Sequence, residues 1–358
     1  MALSLAGICQ RISVKRLSEL PAERGGEFRS RKNAVDLIRR RYSAGDSQMR
    51  PPSAVSGPFM HSPNLLLALV LVAALGVPAA SAQPALGAQG AEGAPHRLQQ
   101  WRVPTPDPAT ASRAVLFRPP GEGPFPLAVI AHASTQNVLR RAQMPQPEYR
   151  ALAAWLVARG FAVLVPERPG HGATGGKYLE DQGGCDEADY ARSGRVTADE
   201  IVAAAGLLRR QSFVRPGAMI VIGHSAGAWG ALALAGADLK DIAAIIAFAA
   251  GRGGHADDVP DRVCAPHALT AAADQFGKTA RVKVTWLVAA NDSYFSPTFS
   301  RKLADAFRAG GGKVDFRELP AHGGEGHWLA ESEGGIKLAA GELDRALRAP
   351  FPTPAKQR

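Results

Sequence analysis

The sequence predicts an α/β fold in which helices cover both faces of a mostly parallel central sheet. Short apolar runs recur along the chain, and segments of helical length separate them. Several of these runs end directly at a polar or glycine-rich turn. Fully apolar strands are typical of a parallel sheet that is buried on both faces. Ligands bind such sheets beyond the carboxyl ends of the strands, so the polar residues at those ends are the candidate site residues.

The predicted elements succeed one another through residues 96–350, which we interpret as one domain. Apolar, often β-branched runs predict the strands, and apolar residues at helical spacing predict the helices. The expected strands are 114–117, 127–131, 161–165, 219–222, 242–248, 282–290 and 314–319. The expected helices are 149–159, 226–235, 296–309 and 336–347, with another that begins at a capping box of Thr197 and Glu200.

Two longer segments, 177–196 and 251–278, interrupt the alternation of strands and helices. Neither is long enough to form a large lid domain. We expect both segments to form walls of a substrate cavity.

The positive charge of the chain is concentrated near its start. Residues 1–59 hold 11 Lys and Arg against 5 Asp and Glu, and the whole chain has a formal net charge of +10. The sequence after residue 82 shows no basic stripe interleaved with aromatic residues, which argues against a nucleic-acid partner. We interpret residues 1–59 as a misassigned or disordered N-terminal extension.

An unbroken apolar run at residues 65–77 lies between Met60 and the small residues Ala80-Ser81-Ala82. This length and this cleavage pattern are typical of a signal peptide and short for a membrane span. The absence of Lys or Arg just after Met60 departs from the usual pattern. We predict a signal peptide at 60–82, a loose leader at 83–95, no stable membrane anchor, and a periplasmic or secreted protein.

Export changes the interpretation of the cysteines. Cys185 and Cys264 are the two that follow the predicted signal peptide, and disulfides persist in oxidising compartments. A Cys185–Cys264 disulfide is therefore a hypothesis, with two separate buried thiols as the alternative. Two distant cysteines do not make a metal site. We predict no metal and no cofactor.

The stretch "MIVIGHSAGAWG" at 219–230 places Ser225 between Gly223 and Gly227, where an apolar strand passes directly into a helix. Such a turn exposes a serine hydroxyl at the carboxyl end of its strand, the position of an activated nucleophile. Ala226, the next residue, would supply one backbone N–H to an oxyanion. His224 is expected to pack beneath the turn and not to act as a base.

A serine nucleophile needs a base, and the base needs an orienting group. Asp292 follows the strand at 282–290, and His327 follows the last strand, so the chain order is Ser, Asp, His. Asp292 could instead be a turn-capping residue, because Asn291-Asp292-Ser293 has turn-forming composition. His322 in the same glycine-rich loop is the alternative to His327.

Over residues 97–350 the sequence resembles the α/β-hydrolase superfamily, in its branch of dienelactone-hydrolase-like and prolyl-oligopeptidase-like serine hydrolases. The resemblance implies the α/β-hydrolase fold, a catalytic triad of Ser225, Asp292 and His327, and Ser134 as the second oxyanion donor. Ala133 stands where the family usually has glycine. Dienelactone hydrolase carries cysteine at the position of Ser225, so its lactone substrate does not transfer.

The loop "PERPGHGATGG" at 166–176 resembles the Arg-x-x-Gly-His-Gly turn of this fold. Arg168 and His171 would either brace the site or contact substrate, and bracing is the favoured role. His132 and Arg168 are the candidate substrate-binding residues.

These features predict a serine hydrolase that cleaves a small-molecule carboxylic ester through an acyl-enzyme. One alternative is a peptidase or amidase that acts on short peptides with the same triad. The other is a non-catalytic binding protein on the same fold. The oligomeric state stays open.

Overall fold

A computed structural model describes residues 85–238, 240–348 and 350. The predicted extension at 1–59 and the predicted signal peptide at 60–82 lie outside the described residues, as do the first two residues of the predicted leader.

A nine-stranded sheet forms the centre of the molecule, in the order β1-β2-β3-β5-β4-β6-β7-β8-β9. The first three strands and β5 pair antiparallel, whereas β5, β4 and β6 to β9 run parallel. The predicted, mostly parallel sheet is therefore confirmed. The strands are β1 Gly87–Gly93, β2 Leu98–Val103, β3 Ser112–Phe117, β4 Leu127–Ala131, β5 Ala162–Pro166, β6 Met219–His224, β7 Ile242–Phe248, β8 Val284–Ala289 and β9 Val314–Leu319.

Helices cover both faces of this sheet, as predicted. One apolar cluster packs α3 to α6 on one face, and a second packs α2 and α7 on the other. Within 85–350, no helix is both long and apolar enough to cross a membrane. The helices are α1 Val138–Ala142, α2 Arg150–Val157, α3 Tyr190–Leu208, α4 Ala226–Ala233, α5 Pro266–Thr279, α6 Pro297–Ala309 and α7 Glu333–Arg348, with 3-10 turns at Cys185–Glu187, Leu234–Gly236, Ala256–Asp258 and Gly326–Glu331.

Strand β4 shows why the central strands are apolar throughout. All five of its residues are buried. Leu127, Val129 and Ala131 belong to one apolar cluster, and Ala128 and Ile130 belong to the other. Because successive side chains point to opposite faces, a strand covered on both sides has no position for a polar residue.

The prediction of a loose leader at 83–95 is wrong for residues 87–93. These residues form β1, an exposed edge strand that pairs antiparallel with β2. Glycine and alanine give this segment little intrinsic strand preference. The strand forms through backbone hydrogen bonds to β2, and the amino-acid composition of a segment does not reveal such pairing.

The predicted helix start at Thr197 is also wrong. Helix α3 begins at Tyr190, and Asp189 caps it by accepting a hydrogen bond from the N–H of Arg192 at 2.8 Å. Thr197 and Glu200 lie in the middle of the helix, and both are buried. Their side chains face charged groups in the interior, so this pattern of residues serves tertiary contacts instead of a cap.

Cys185 and Cys264 form a disulfide, as hypothesised. It joins the two insertions, 177–196 and 251–278, and both cysteines line the cavity described below.

Replacement of both cysteines in a Cys185→Ala/Cys264→Ala variant should lower the free energy of unfolding by about 2–4 kcal/mol. The bond closes a loop of 79 residues, and its loss restores the freedom of that loop in the unfolded chain. Urea unfolding would measure the change. Reductant should shift the midpoint of the unmodified protein and not that of the variant; equal midpoints without reductant would contradict the prediction.

Candidate active site

Ser225 lies at the sharp turn between β6 and α4. Its backbone has φ 54° and ψ −117°, a conformation that non-glycine residues rarely adopt. A Cβ at Gly223 would collide with the backbone of Ala228, and one at Gly227 would collide with the carbonyl of Ala131. The two glycines thus allow the turn to pack tightly against β4.

Asp292 and His327 come together at the ends of two neighbouring strands. Asp292 follows β8, and His327 lies in the 3-10 turn Gly326–Glu331 after β9. His327 Nδ1 lies 3.1 Å from Asp292 Oδ2 and 3.3 Å from Oδ1. Oδ1 also accepts the N–H groups of Tyr294 and Phe295, each at 2.9 Å. Nδ1 therefore carries a proton in this pair, which leaves Nε2 as an acceptor.

Ser225 and His327 line one cavity, and Asp292 is buried behind His327. His327 Nε2 makes no hydrogen bond to Ser225 Oγ in the described structure. Such contacts are often long in the absence of substrate. The other loop histidine, His322, instead pairs its Nε2 with Ser332 Oγ at 2.7 Å. The geometry thus favours His327 over His322.

Aromatic rings enclose the imidazole of His327. Tyr294 stacks on it with ring centroids 4.2 Å apart, and Trp328 meets it edge-on at 5.2 Å. Burial lowers the pKa of His327, and the hydrogen bond to Asp292 opposes that shift. The balance favours the neutral ring, the form that accepts a proton.

The backbone of residues 132–134 is held from three directions. His132 Nδ1 donates to the carbonyl of Ala133 at 2.5 Å, and its Nε2 accepts the N–H of Arg168 at 3.0 Å. The N–H of Ala133 donates to the hydroxyl of Tyr149 at 3.1 Å. The bond to the Ala133 carbonyl restrains the peptide between Ala133 and Ser134, and the other two restrain the His132 ring and the preceding peptide, although Ala133 replaces the usual glycine.

The two predicted oxyanion donors are Ser134 and Ala226. Both residues line the cavity beside Ser225. The N–H of Ser134 has no partner among the described residues, and Ala226 is the first residue of α4, where an N–H has no partner within the helix. The hydroxyl of Ser134 pairs with His171 Nε2 at 2.7 Å. Burial lowers the pKa of His171 to about 4, so this ring is neutral.

Neither predicted substrate-binding residue offers a free polar group to the cavity. Both ring nitrogens of His132 are used internally, so its role is to position residues 133–134. Arg168 does not line the cavity. It is buried, pairs with Glu180 at 3.0 Å, and donates from Nη1 to the carbonyl of His132 at 2.8 Å. The structure thus places Arg168 as a brace beneath the loop.

Arg252 and Glu180 are site residues that the sequence analysis missed. Arg252 lines the cavity and forms a buried ion pair with Glu180, which also pairs with Arg168. Burial alone would raise the pKa of Glu180. The positive charges of Arg168 and Arg252 outweigh burial and hold the pKa of Glu180 well below its usual range. Arg252 follows the carboxyl end of β7. Asp292 was identified because polar residues after strand ends are candidate site residues, and the same criterion would have identified Arg252.

The cavity has a volume of about 820 Å³, a size that suits a small molecule. Both insertions contribute to it, as predicted. At its rim Arg140 of α1 forms a bidentate ion pair with Asp258 at 2.7 and 3.1 Å. The lining from the two insertions includes Tyr178, Gln182, Cys185, Arg252, Asp258 and Cys264.

Residues 147–251 match the family model of the prolyl oligopeptidase family. This match covers under a third of the chain and includes the turn at Ser225. The acylaminoacyl peptidase of Pyrococcus horikoshii is similar in structure, with a TM-score of 0.51 and 12% identity. The match covers 72% of this chain and 42% of that one, so this chain spans less than half of the peptidase. The chain has the α/β-hydrolase fold.

Two further solved structures match this chain. Est1E from Butyrivibrio proteoclasticus has a TM-score of 0.48 at 15% identity, over 71% of this chain and 99% of that one. A proposed dienelactone hydrolase from Klebsiella pneumoniae subsp. pneumoniae MGH 78578 has a TM-score of 0.47 at 13% identity, over 70% and 98%. No curated protein matches the chain in sequence.

The pH dependence of kcat/KM should have an acid limb with an apparent pKa below the usual histidine value of about 6.5. We predict that neutral His327 is the active form; because burial lowers its pKa, the rate should fall only as the pH drops through that lower value. Ester hydrolysis across the pH range would measure the limb. The limb should stay in place in His322→Gln; a limb at or above 6.5 in the unmodified protein would count against neutral His327 as the base.

His132→Leu should lower kcat by about 10²-fold, because the peptide that carries the Ser134 N–H loses its restraint. Asparagine has nearly the same size as leucine, but its amide keeps an N–H donor near the position of His132 Nδ1. The His132→Asn variant should therefore retain more of the rate than His132→Leu. Steady-state kinetics would measure both variants. Equal kcat in the two variants would show that the Nδ1 bond does not position the donor.

Proposed function

We propose that this protein cleaves carboxylic esters, with Ser225 as nucleophile, His327 as general base and Asp292 as the group that orients His327. The observation that carries the proposal is the placement of His327. Asp292 contacts its Nδ1 with both carboxylate oxygens, and the ring lines the cavity that contains Ser225. A serine hydroxyl needs such a base near neutral pH.

The reaction proceeds through an acyl-enzyme. Ser225 Oγ attacks the carbonyl carbon, and its proton passes to His327 Nε2. The negative charge forms on the carbonyl oxygen, where the N–H groups of Ala226 and Ser134 donate to it. Collapse breaks the ester bond, and His327 returns the proton to the departing alcohol. Water then attacks the acyl group with His327 again as base, which releases the acid and Ser225.

Hydrolysis of amide bonds in short peptides is the second candidate. The match of residues 147–251 to the prolyl oligopeptidase family supports it, as does the fold shared with an acylaminoacyl peptidase. Both reactions use the same triad and oxyanion donors. They differ in the leaving group, because an amine must be protonated before the bond to it breaks.

The disulfide supports a periplasmic or secreted location, since such bonds persist in oxidising compartments. The substrate in this proposal is a small molecule. Nothing in the site requires a cofactor for the steps above.

A fluorophosphonate probe should label the unmodified hydrolase, and both Ser225→Ala and His327→Ala should abolish the labelling. The probe reacts only with a serine whose proton has an acceptor. Gel fluorescence and intact mass would measure it. His322→Ala is the matched control and should label normally. Folded, unmodified protein that does not label would contradict the proposed triad.

Leaving-group preference would separate the two candidate reactions. An ester and an anilide of the same acyl group should be compared by kcat/KM. If the protein is an esterase, kcat/KM for the ester should exceed kcat/KM for the anilide by more than the ratio of their uncatalysed hydrolysis rates. Comparable kcat/KM values for the two substrates would favour the amidase.

A further inference from the structure

A chain of buried hydrogen bonds connects the loop at 132–134 to the backbone of His327. The N–H of Ala133 donates to the hydroxyl of Tyr149 at 3.1 Å. That hydroxyl lies 2.9 Å from His224 Nδ1, and His224 Nε2 lies 2.7 Å from the carbonyl oxygen of His327. Two side chains thus span the distance between the oxyanion loop and the base.

The direction of each bond follows from the groups that take part. A carbonyl oxygen only accepts, so His224 Nε2 carries the proton in its bond to His327. Nδ1 shares the next bond of the chain with the hydroxyl of Tyr149 at 2.9 Å. The phenol oxygen accepts the N–H of Ala133. Every polar group in the chain is therefore satisfied, which buried groups require.

Glu331 lies beside the middle of the chain. Its Oε1 is 3.4 Å from His224 Nδ1, and it belongs to the same 3-10 turn as His327. Burial, with the nearby Glu331 as a second cause, raises the pKa of Tyr149 well above its usual value. The hydroxyl of Tyr149 therefore keeps its proton.

The backbone of Tyr149 is unusual for a bulky residue. It has φ 48° and ψ 44°, in the left-handed region, at the position that precedes α2. Its side chain makes no capping hydrogen bond to the helix. Non-glycine residues in this region are energetically costly and concentrate at functional sites. Here the conformation delivers the hydroxyl to Ala133 and His224.

We propose that Tyr149 and His224 are positioning residues that hold the oxyanion donors and His327 in one fixed arrangement. The proposal rests on the function proposed above, because it assigns the two ends of the chain to the oxyanion hole and the base. Both must meet the transition state at the same moment, so their separation has to be set before the substrate binds. Ser225 lies between them on the turn that His224 begins.

Tyr149→Phe removes the hydroxyl and leaves the ring. It should lower kcat about tenfold, the equivalent of roughly 1.4 kcal/mol, while KM stays within about twofold. Tyr190→Phe is the matched control. The hydroxyl of Tyr190 is also buried and donates to the carbonyl of Cys264 at 2.5 Å, but Tyr190 does not line the cavity. Both variants should lose stability, and only Tyr149→Phe should lose kcat.

His224→Gln tests the same link from its other side. The glutamine amide can still donate to the carbonyl of His327, but glutamine has no polar atom at the position of Nδ1, so the bond of that nitrogen to the hydroxyl of Tyr149 is lost. This variant should also lower kcat, and the double variant should be no slower than the slower single variant, because both cut one link. A double variant whose loss equals the product of the two single losses would overturn the proposal.

Wild-type kcat in Tyr149→Phe, with a lower melting temperature, would also overturn the proposal, because the chain would then be structural only. If Tyr149→Phe does not fold, the kcat of His224→Gln decides alone. Failure of the proposed function looks different. The unmodified hydrolase would then show no labelling that depends on Ser225, and the positioning role would fall with it.

Discussion

The site depends on the close approach of α4 to the end of β4. Gly227 brings the helix so near that any side chain there would meet the carbonyls of Ala131 and His132. The loop of the proposed oxyanion donor Ser134 begins at His132, so the contact that allows the turn at Ser225 also places this loop beside the proposed nucleophile. The left-handed backbone of Ser225 costs about 1–3 kcal/mol, which the packing around the turn must offset. The positions of Ser225 and of the proposed oxyanion loop thus both depend on one backbone contact.

Beneath that loop, the charged groups are buried and paired. Glu180 contacts both Arg168 and Arg252, and Thr197 bonds to it from α3. A buried charge without a partner is strongly unfavourable, so each of these groups constrains the others. Arg168 passes this constraint to the carbonyl of His132. Donors that are held rigid before the reaction need no reorganisation when the charge develops, which is the arrangement that favours the transition state.

Much of the fold could be predicted because its signals are local. The apolar composition of strand β7 is enough to predict that it is buried. Asp292 and His327 can be identified because each follows the end of a strand. The edge strand 87–93 escaped prediction because only its backbone pairs with β2. Thr197 and Glu200 fit a capping pattern, yet they serve contacts with Glu180 and Arg168 that are distant in sequence. Tyr149 carried no sequence signal for its role, since its partners Ala133 and His224 meet it only in the folded chain.

The disulfide gives the cavity walls unequal freedom to move. Segment 251–265 is covalently joined to the segment around Cys185, but it meets α1 through the Arg140–Asp258 ion pair, both of whose side chains are mostly exposed. Exposed ion pairs contribute about 0–1 kcal/mol, and salt weakens them further. The contact between α1 and 251–265 is therefore held more weakly than the side of the cavity that the disulfide joins.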